Sequence, residues 1–175
     1  MNKIDVYHMK LLNSILKETQ RLNGVALAIM NRYVKENAIL SNEVTILKGS
    51  QTSVITEMMR SEKTYENAKK WDPARFYNLR CQDQDQKAQL VSATAEHIAF
   101  GLGKHACSGR FFATHELKIM LAHILMKYDI EFINGDGSRV RVIGTDVLAD
   151  NMPRVQVRRR KEQVEIPEYP EEEEA

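Results

Sequence analysis

With 175 residues, 43% of them hydrophobic, and a net charge of +1, the chain has the bulk for one packed domain and is neither disordered nor strongly charged. Lysine plus arginine (25) nearly balances aspartate plus glutamate (24), which excludes nucleic acid as the expected partner; the short basic run Arg158, Arg159, Arg160, Lys161 reads as a solvated end. No signal peptide or membrane-spanning apolar run is read in the first thirty residues, where Lys10, Asn13, Lys17 and Glu18 are scattered, so the chain as it stands is expected to be cytoplasmic. Its two cysteines, Cys81 and Cys107, suit a reducing compartment better than a disulfide.

In chain order, residues Ile4 to Leu22 predict a helix, with apolar side chains at Ile4, Leu11, Leu12, Ile15, Leu16 and Leu22. The stripe Leu11, Ile15, Glu18, Leu22 runs through a carboxylate, so Glu18 is expected to point at the core, with Arg21 three residues on as its bidentate partner. The alternative reading is a solvated ion pair worth under about 1 kcal/mol. Val25 to Val34, Val44 to Leu47 and Thr52 to Ile55 predict strands of one small sheet, with Lys48, Gly49 and Ser50 as a turn. Residues 57 to 98 are polar and predict short helical turns in an irregular meander that contains Trp71 and Pro73, with Cys81 in polar loop sequence.

The segment Phe100 to Arg110, FGLGKHACSGR, holds the most chemistry: one cysteine among three glycines and a histidine. Gly103 and Gly109 are expected to take positive φ, letting the backbone approach a flat ligand where a Cβ would collide. The run Phe111 to Tyr128 predicts a helix with one buried face at Ala113, Leu117, Met120, Leu121, Ile124, Leu125 and Tyr128. Its free N–H groups and partial positive charge would favour the ionised sulfur of Cys107. The bland alternative is that Cys107 is a small buried core residue beside a turn. Zinc is disfavoured, since His115 and His123 are eight apart and no CxxC or HxxxH pair occurs. Arg139 to Ile143 and Arg154 to Val157 predict an antiparallel pair around the turn-rich Asn134 to Ser138 and the loop 144 to 153. Residues 1 to 163 form the domain, and 164 to 175, ending EIPEYPEEEEA, read as a disordered acidic tail.

Phe100, Gly103, Cys107 and Gly109 fit the FxxGxxxCxG signature of the cytochrome P-450 heme-thiolate monooxygenases, which this chain resembles. Glu18 to Arg21 matches the ExxR element of that family. Pro73, Ala74, Arg75, Phe76 resembles its PERF segment, with Ala74 in place of the glutamate. The resemblance implies an α+β fold, the C-terminal, heme-proximal part of the family's architecture: ExxR helix, small sheet, meander, cysteine loop and following helix. It implies heme b (iron-protoporphyrin IX) with Cys107 as axial iron ligand, Phe100 covering the sulfur, Gly103 and Gly109 giving room, and His105 meeting a propionate. Glu18, Arg21 and Arg75 would form a structural triad fixing the meander and the cysteine loop, completed by backbone carbonyls or water. Ser108 replaces the usual proline and would cap the helix.

The implied activity is monooxygenation of a small apolar secondary metabolite, terpenoid or indole-derived as in fungal members, with electrons from NADPH through a reductase. Full-length relatives would sit at the endoplasmic reticulum membrane. Because the resemblance covers only the C-terminal portion of the family's fold, the chain alone is expected to be a truncated form without turnover and prone to self-association through exposed apolar surface. A non-catalytic heme- or partner-binding remnant, or a truncated product without function, is the alternative.

Overall fold

The computed structural model describes residues 3–82, 85–133, 140–149 and 153–161; the acidic tail and the segment 134 to 138 lie outside them. The predicted first helix is two helices, α1 (Lys3–His8) and α2 (Lys10–Leu22), which meet at Met9 without a glycine or proline to mark the break. Three strands follow close to their predicted places, β1 (Ala28–Tyr33), β3 (Thr45–Ile46) and β4 (Gln51–Ile55), with the short β2 (Ala38–Ile39) between them. They make two antiparallel ribbons, β1 with β4 and β2 with β3, rather than one sheet. Gly49 sits in the turn before β4 at φ +87, a conformation open to glycine because it has no Cβ.

The meander is as irregular as its sequence, with a 3-10 turn at Thr56–Arg60 and the short helices α3 (Arg75–Cys81) and α4 (Asp85–Ala88). Cys81 is therefore the last residue of a helix and not part of a loop. Helix α5 (Arg110–Lys127) ends one residue before its predicted limit, where Tyr128 opens β5 (Tyr128–Phe132). At the C-terminal end the expected pairing does not occur. Strand β6 (Val140–Ile143) pairs with β7 (Asp146–Ala149), which lies inside the predicted loop, and β8 (Val155–Arg159) returns to β5. A hairpin turn at Gly144 and Thr145 captures β6 locally, and that leaves β8 for the non-local partner. No helix among the described residues is long and apolar enough to cross a membrane.

The core reverses the expected amphipathicity of the helices. On α2 the buried residues are Asn13, Ser14, Lys17, Glu18 and Arg21, whereas Leu11, at the start of the predicted apolar stripe, is half exposed. On α5 the buried residues are Thr114 and Lys118, while Leu117, Met120 and Leu125 of the predicted buried face are exposed. The cause is what each helix packs against. Helix α2 faces the open ends of α3 and α4 and the irregular backbone beside them, whose unpaired carbonyls and amides need polar partners. The Asn13 amide donates to Ala88 O (3.1 Å) and its oxygen accepts from Leu90 N–H (3.1 Å). The Ser14 hydroxyl donates to Pro73 O (2.6 Å) and accepts from the N–H groups of Phe76 and Tyr77 (3.1 and 2.9 Å). Ser14 thereby caps α3 from another helix, since Ala74 at its start supplies no side-chain cap. Helix α5 meets α1, with Lys118 Nζ on Val6 O (3.3 Å).

This inversion gives a direct test by chemical denaturation. Asn13→Ala, which strands two buried backbone groups, is expected to cost about 2 to 4 kcal/mol, whereas Leu11→Ala on the exposed side is expected to cost less than about 1 kcal/mol. Equal losses would mean that α2 buries its apolar face after all.

Candidate functional site

Glu18, Arg21 and Arg75, predicted from three separate segments, come together. Arg21 grips the Glu18 carboxylate with Nε at 2.7 Å and Nη2 at 2.8 Å, both side chains fully buried. Arg75 Nε donates to Glu18 Oε1 at 3.2 Å, and Asp72 N–H to the same oxygen at 3.1 Å. Four further guanidinium bonds end on backbone carbonyls: Arg21 on Met59 O (2.5 Å), and Arg75 on Glu66 O (2.7 Å), Asn67 O and Lys70 O (3.3 Å each). Burial alone would raise the Glu18 pKa. The Arg21 hydrogen bonds, the Asp72 N–H and the charges of both arginines outweigh that and hold the carboxyl below its usual range. Two cations around one anion leave excess positive charge, and the Tyr65 ring meets it, with the Arg21 and Arg75 guanidinium carbons 5.0 and 5.9 Å from its centroid. Sequence reasoning missed Tyr65. The seven residues between it and Pro73 carry no periodicity that would have brought it to α2.

The triad reaches the 3-10 turn and the meander, but among the bonds of the described residues none from Glu18, Arg21 or Arg75 touches the cysteine loop. That link runs through residues the sequence did not mark. Lys17, fully buried, donates from Nζ to Lys87 O (2.8 Å), Gln89 O (2.7 Å) and Ser92 O (3.3 Å), and lies 5.1 Å from the Phe76 ring centroid. Burial pushes its pKa down to about 7. With Asn13 on Ala88 O, four carbonyls between residues 87 and 92 are held by side chains of α2. Just ahead of the loop, His97 is almost fully buried against the Phe76 ring (centroids 5.8 Å apart), its Nε2 3.1 Å from Gln20 Oε1. With that carbonyl oxygen as acceptor, Nε2 carries the proton, and Nδ1 is buried without a partner. Burial first, then the charges of Lys17 and Arg21, lower the His97 pKa to about 3.

The cysteine loop is closed by the Cys107 N–H on Phe100 O (2.8 Å) and the Ala106 N–H on Gly103 O (3.0 Å). Cys107 is a free, exposed thiol and not a buried core residue; Cys81 is likewise free and exposed. Gly103 has φ +70 with open space where a Cβ would stand, but Gly109 has an ordinary φ of −79. The second positive-φ glycine is Gly101 (φ +75), whose Cβ would lie 3.6 Å from the Ala106 and His105 backbone. A Cβ at Gly109 would instead face the Cys107 sulfur at 4.0 Å. Helix α5 begins after Gly109 with no side-chain cap, so Ser108, which is exposed, does not take the capping role expected of it. His105 is exposed at the end of a 3-10 turn (Gly103–His105), and Phe100 is half-buried.

The Cytochrome P-450 family model matches residues 3–156. Cytochrome P-450 monooxygenase 1 of Gibberella fujikuroi is 42% identical over 166 residues, which are 94% of this chain and 38% of that protein. Cytochrome P-450 monooxygenase ausR of Penicillium brasilianum is 44% identical over 165 residues, 94% of this chain and 33% of the relative. The chain thus spans little more than a third of the length of these relatives. Among solved structures, the cytochrome P450DA heme domain superposes with a TM-score of 0.70 at 21% identity, covering 92% of this chain and 33% of the other.

Two stability measurements probe the buried charges. Glu18→Ala leaves two guanidinium groups without their anion and is expected to cost about 3 to 5 kcal/mol in denaturant unfolding; a melt within error of the parent would mean a solvated pair. For His97, the folded pKa of about 3 lies below the unfolded value of about 6.5, so the unfolded chain binds the extra proton and stability is lost as pH falls from 6.5 toward 3. His97→Gln keeps a donor for Gln20 and removes the titration, so its stability should fall less steeply across that window. An unchanged slope would show that His97 is protonated in the fold.

Proposed function

We infer the function from one premise: the chain belongs to the cytochrome P-450 family. We propose that it forms the heme-binding side of a heme-thiolate monooxygenase that oxidises a small apolar metabolite of terpenoid or indole type, taking electrons from NADPH through a reductase. In full-length family members the same reading places the enzyme at the endoplasmic reticulum membrane. The observation that carries the proposal is the free, exposed Cys107 thiol on a hydrogen-bonded loop directly ahead of α5.

The residues present fit heme. A thiolate is a soft donor suited to iron, and the Cys107 sulfur is accessible to a planar ligand. Gly103 leaves open space above its backbone, and Gly109 keeps a Cβ from facing the sulfur. When bound, heme would supply the iron chemistry that activates dioxygen, and Cys107 would hold it through an electron-donating thiolate. The protein's part is positional. Cys107 would hold the iron through its exposed sulfur. His105, exposed two residues earlier, offers a ring N–H to a carboxylate of the porphyrin edge. Phe100 anchors the loop through its carbonyl. Glu18 and Arg21, fully buried, and Arg75, half-buried, act as a structural triad that fixes the meander.

The purified 175-residue chain, loaded with heme, reduced and exposed to carbon monoxide, is expected to show the red-shifted Soret band of thiolate ligation. Cys107→Ala should abolish the band and Cys81→Ala should leave it unchanged. A histidine-type spectrum in the parent would remove Cys107 from the iron.

A further inference from the structure

Helix α5 begins with a cation. Arg110 is its first residue and no acidic side chain lies in its first turn, so a guanidinium stands where the helix dipole disfavours positive charge. Nor does a carboxylate neutralise it among the described residues. Its donors go to two neutral carbonyls, Nη1 to Cys107 O at 2.8 Å and Nε to Val91 O at 3.1 Å, and its guanidinium carbon lies 4.4 Å from the Phe111 ring centroid. A planar fork that bridges two backbone segments is a use of arginine that lysine cannot reproduce in full.

Val91 is a fixed anchor. It lies in the strap of residues 87 to 92, whose carbonyls at Lys87, Ala88, Gln89 and Ser92 are already held by Lys17 and Asn13 of α2. Within the strap Ala88 and Leu90 are buried. One face of the strap is therefore tied to the ExxR helix and the other, through Arg110, to the carbonyl of the cysteine itself. We propose that Arg110 is a positioning residue for Cys107: it fixes the cysteine backbone to the strap, so that the height of the sulfur is set by α2 through Lys17 and Asn13. The inference rests on the reading of Cys107 as the heme ligand, although the tether itself needs no heme.

The test uses Arg110→Met and Arg110→Lys in the full 175-residue chain, first without heme. Hydrogen exchange at the Ala106 and Cys107 amides, which donate within the loop, is expected to quicken about tenfold in Arg110→Met, as for loss of a charged donor that closes a local opening unit. The amides of α2 and the thermal midpoint should stay at parent values, and Arg110→Lys, able to reach one carbonyl, should fall between. Uniform loss of protection in α2 and loop alike, or no change in either, overturns the proposal. If the methionine variant does not fold, the lysine variant alone decides, by the same comparison of loop with α2.

With heme added, the carbon monoxide spectrum of Arg110→Met should lose its thiolate band about tenfold faster than that of the parent, since the tethering of the sulfur is weakened by the same factor. A parent that never shows the band defeats the heme reading and leaves the exchange result to judge Arg110. A parent that shows it and a methionine variant that keeps it equally long defeat the positioning role.

Discussion

Burying the Glu18 carboxylate carries a desolvation penalty of several kcal/mol, and nearly every contact around α2 follows from meeting it. The anion draws in two guanidinium groups, and these bring more donors than one carboxylate can accept. The surplus donors seek carbonyls, and carbonyls without partners are abundant only in irregular backbone. That is why the 3-10 turn, through Met59 O, and the turns of the meander, through Glu66 O, Asn67 O and Lys70 O, lie against this face of the helix. The Tyr65 ring, close to both guanidinium groups, completes the arrangement with a polarisable surface in place of a second anion.

The same logic operates at residues 87 to 92 without any carboxylate. Here ammonium, amide and guanidinium side chains from α2 and α5 satisfy the carbonyls of Lys87, Ala88, Gln89, Val91 and Ser92. The triad and the cysteine loop are thus neighbours at one remove. Helix α2 lies at one end and an exposed thiol at the other, with the strap bonded between them.

Part of this was legible in the sequence. Glu18 and Arg21 pair because three-residue spacing puts them on one helical face, and the cysteine loop announces itself by its glycines. An apolar stripe through Leu11 does not account for the burial of Glu18, because Leu11 is half exposed and the face that is buried is polar. Periodicity assigns burial by hydrophobicity, and it cannot see loop carbonyls that need donors. For that reason Lys17, Asn13 and Arg110 were invisible: each looks like an ordinary solvated side chain until its acceptors are placed. Strands β1, β3 and β4 could be read from β-branched runs and a glycine turn, which are local signals. The partner of β8 could not, because a choice between β5 and β6 depends on what the hairpin β6–β7 has already taken.

A core built this way has an uncommon thermal character. Among the described residues, seven apolar side chains are buried beside ten polar or charged ones, and the largest of the fully buried side chains are Arg21 and Lys17. Exposing apolar surface raises the heat capacity of the unfolded chain and exposing polar surface lowers it, so the increment here falls below the usual figure of about 12 to 15 cal/mol/K per residue. A small increment flattens the dependence of stability on temperature: the fold gains little on cooling from any hydrophobic maximum and approaches its melting point along a shallow, nearly linear slope.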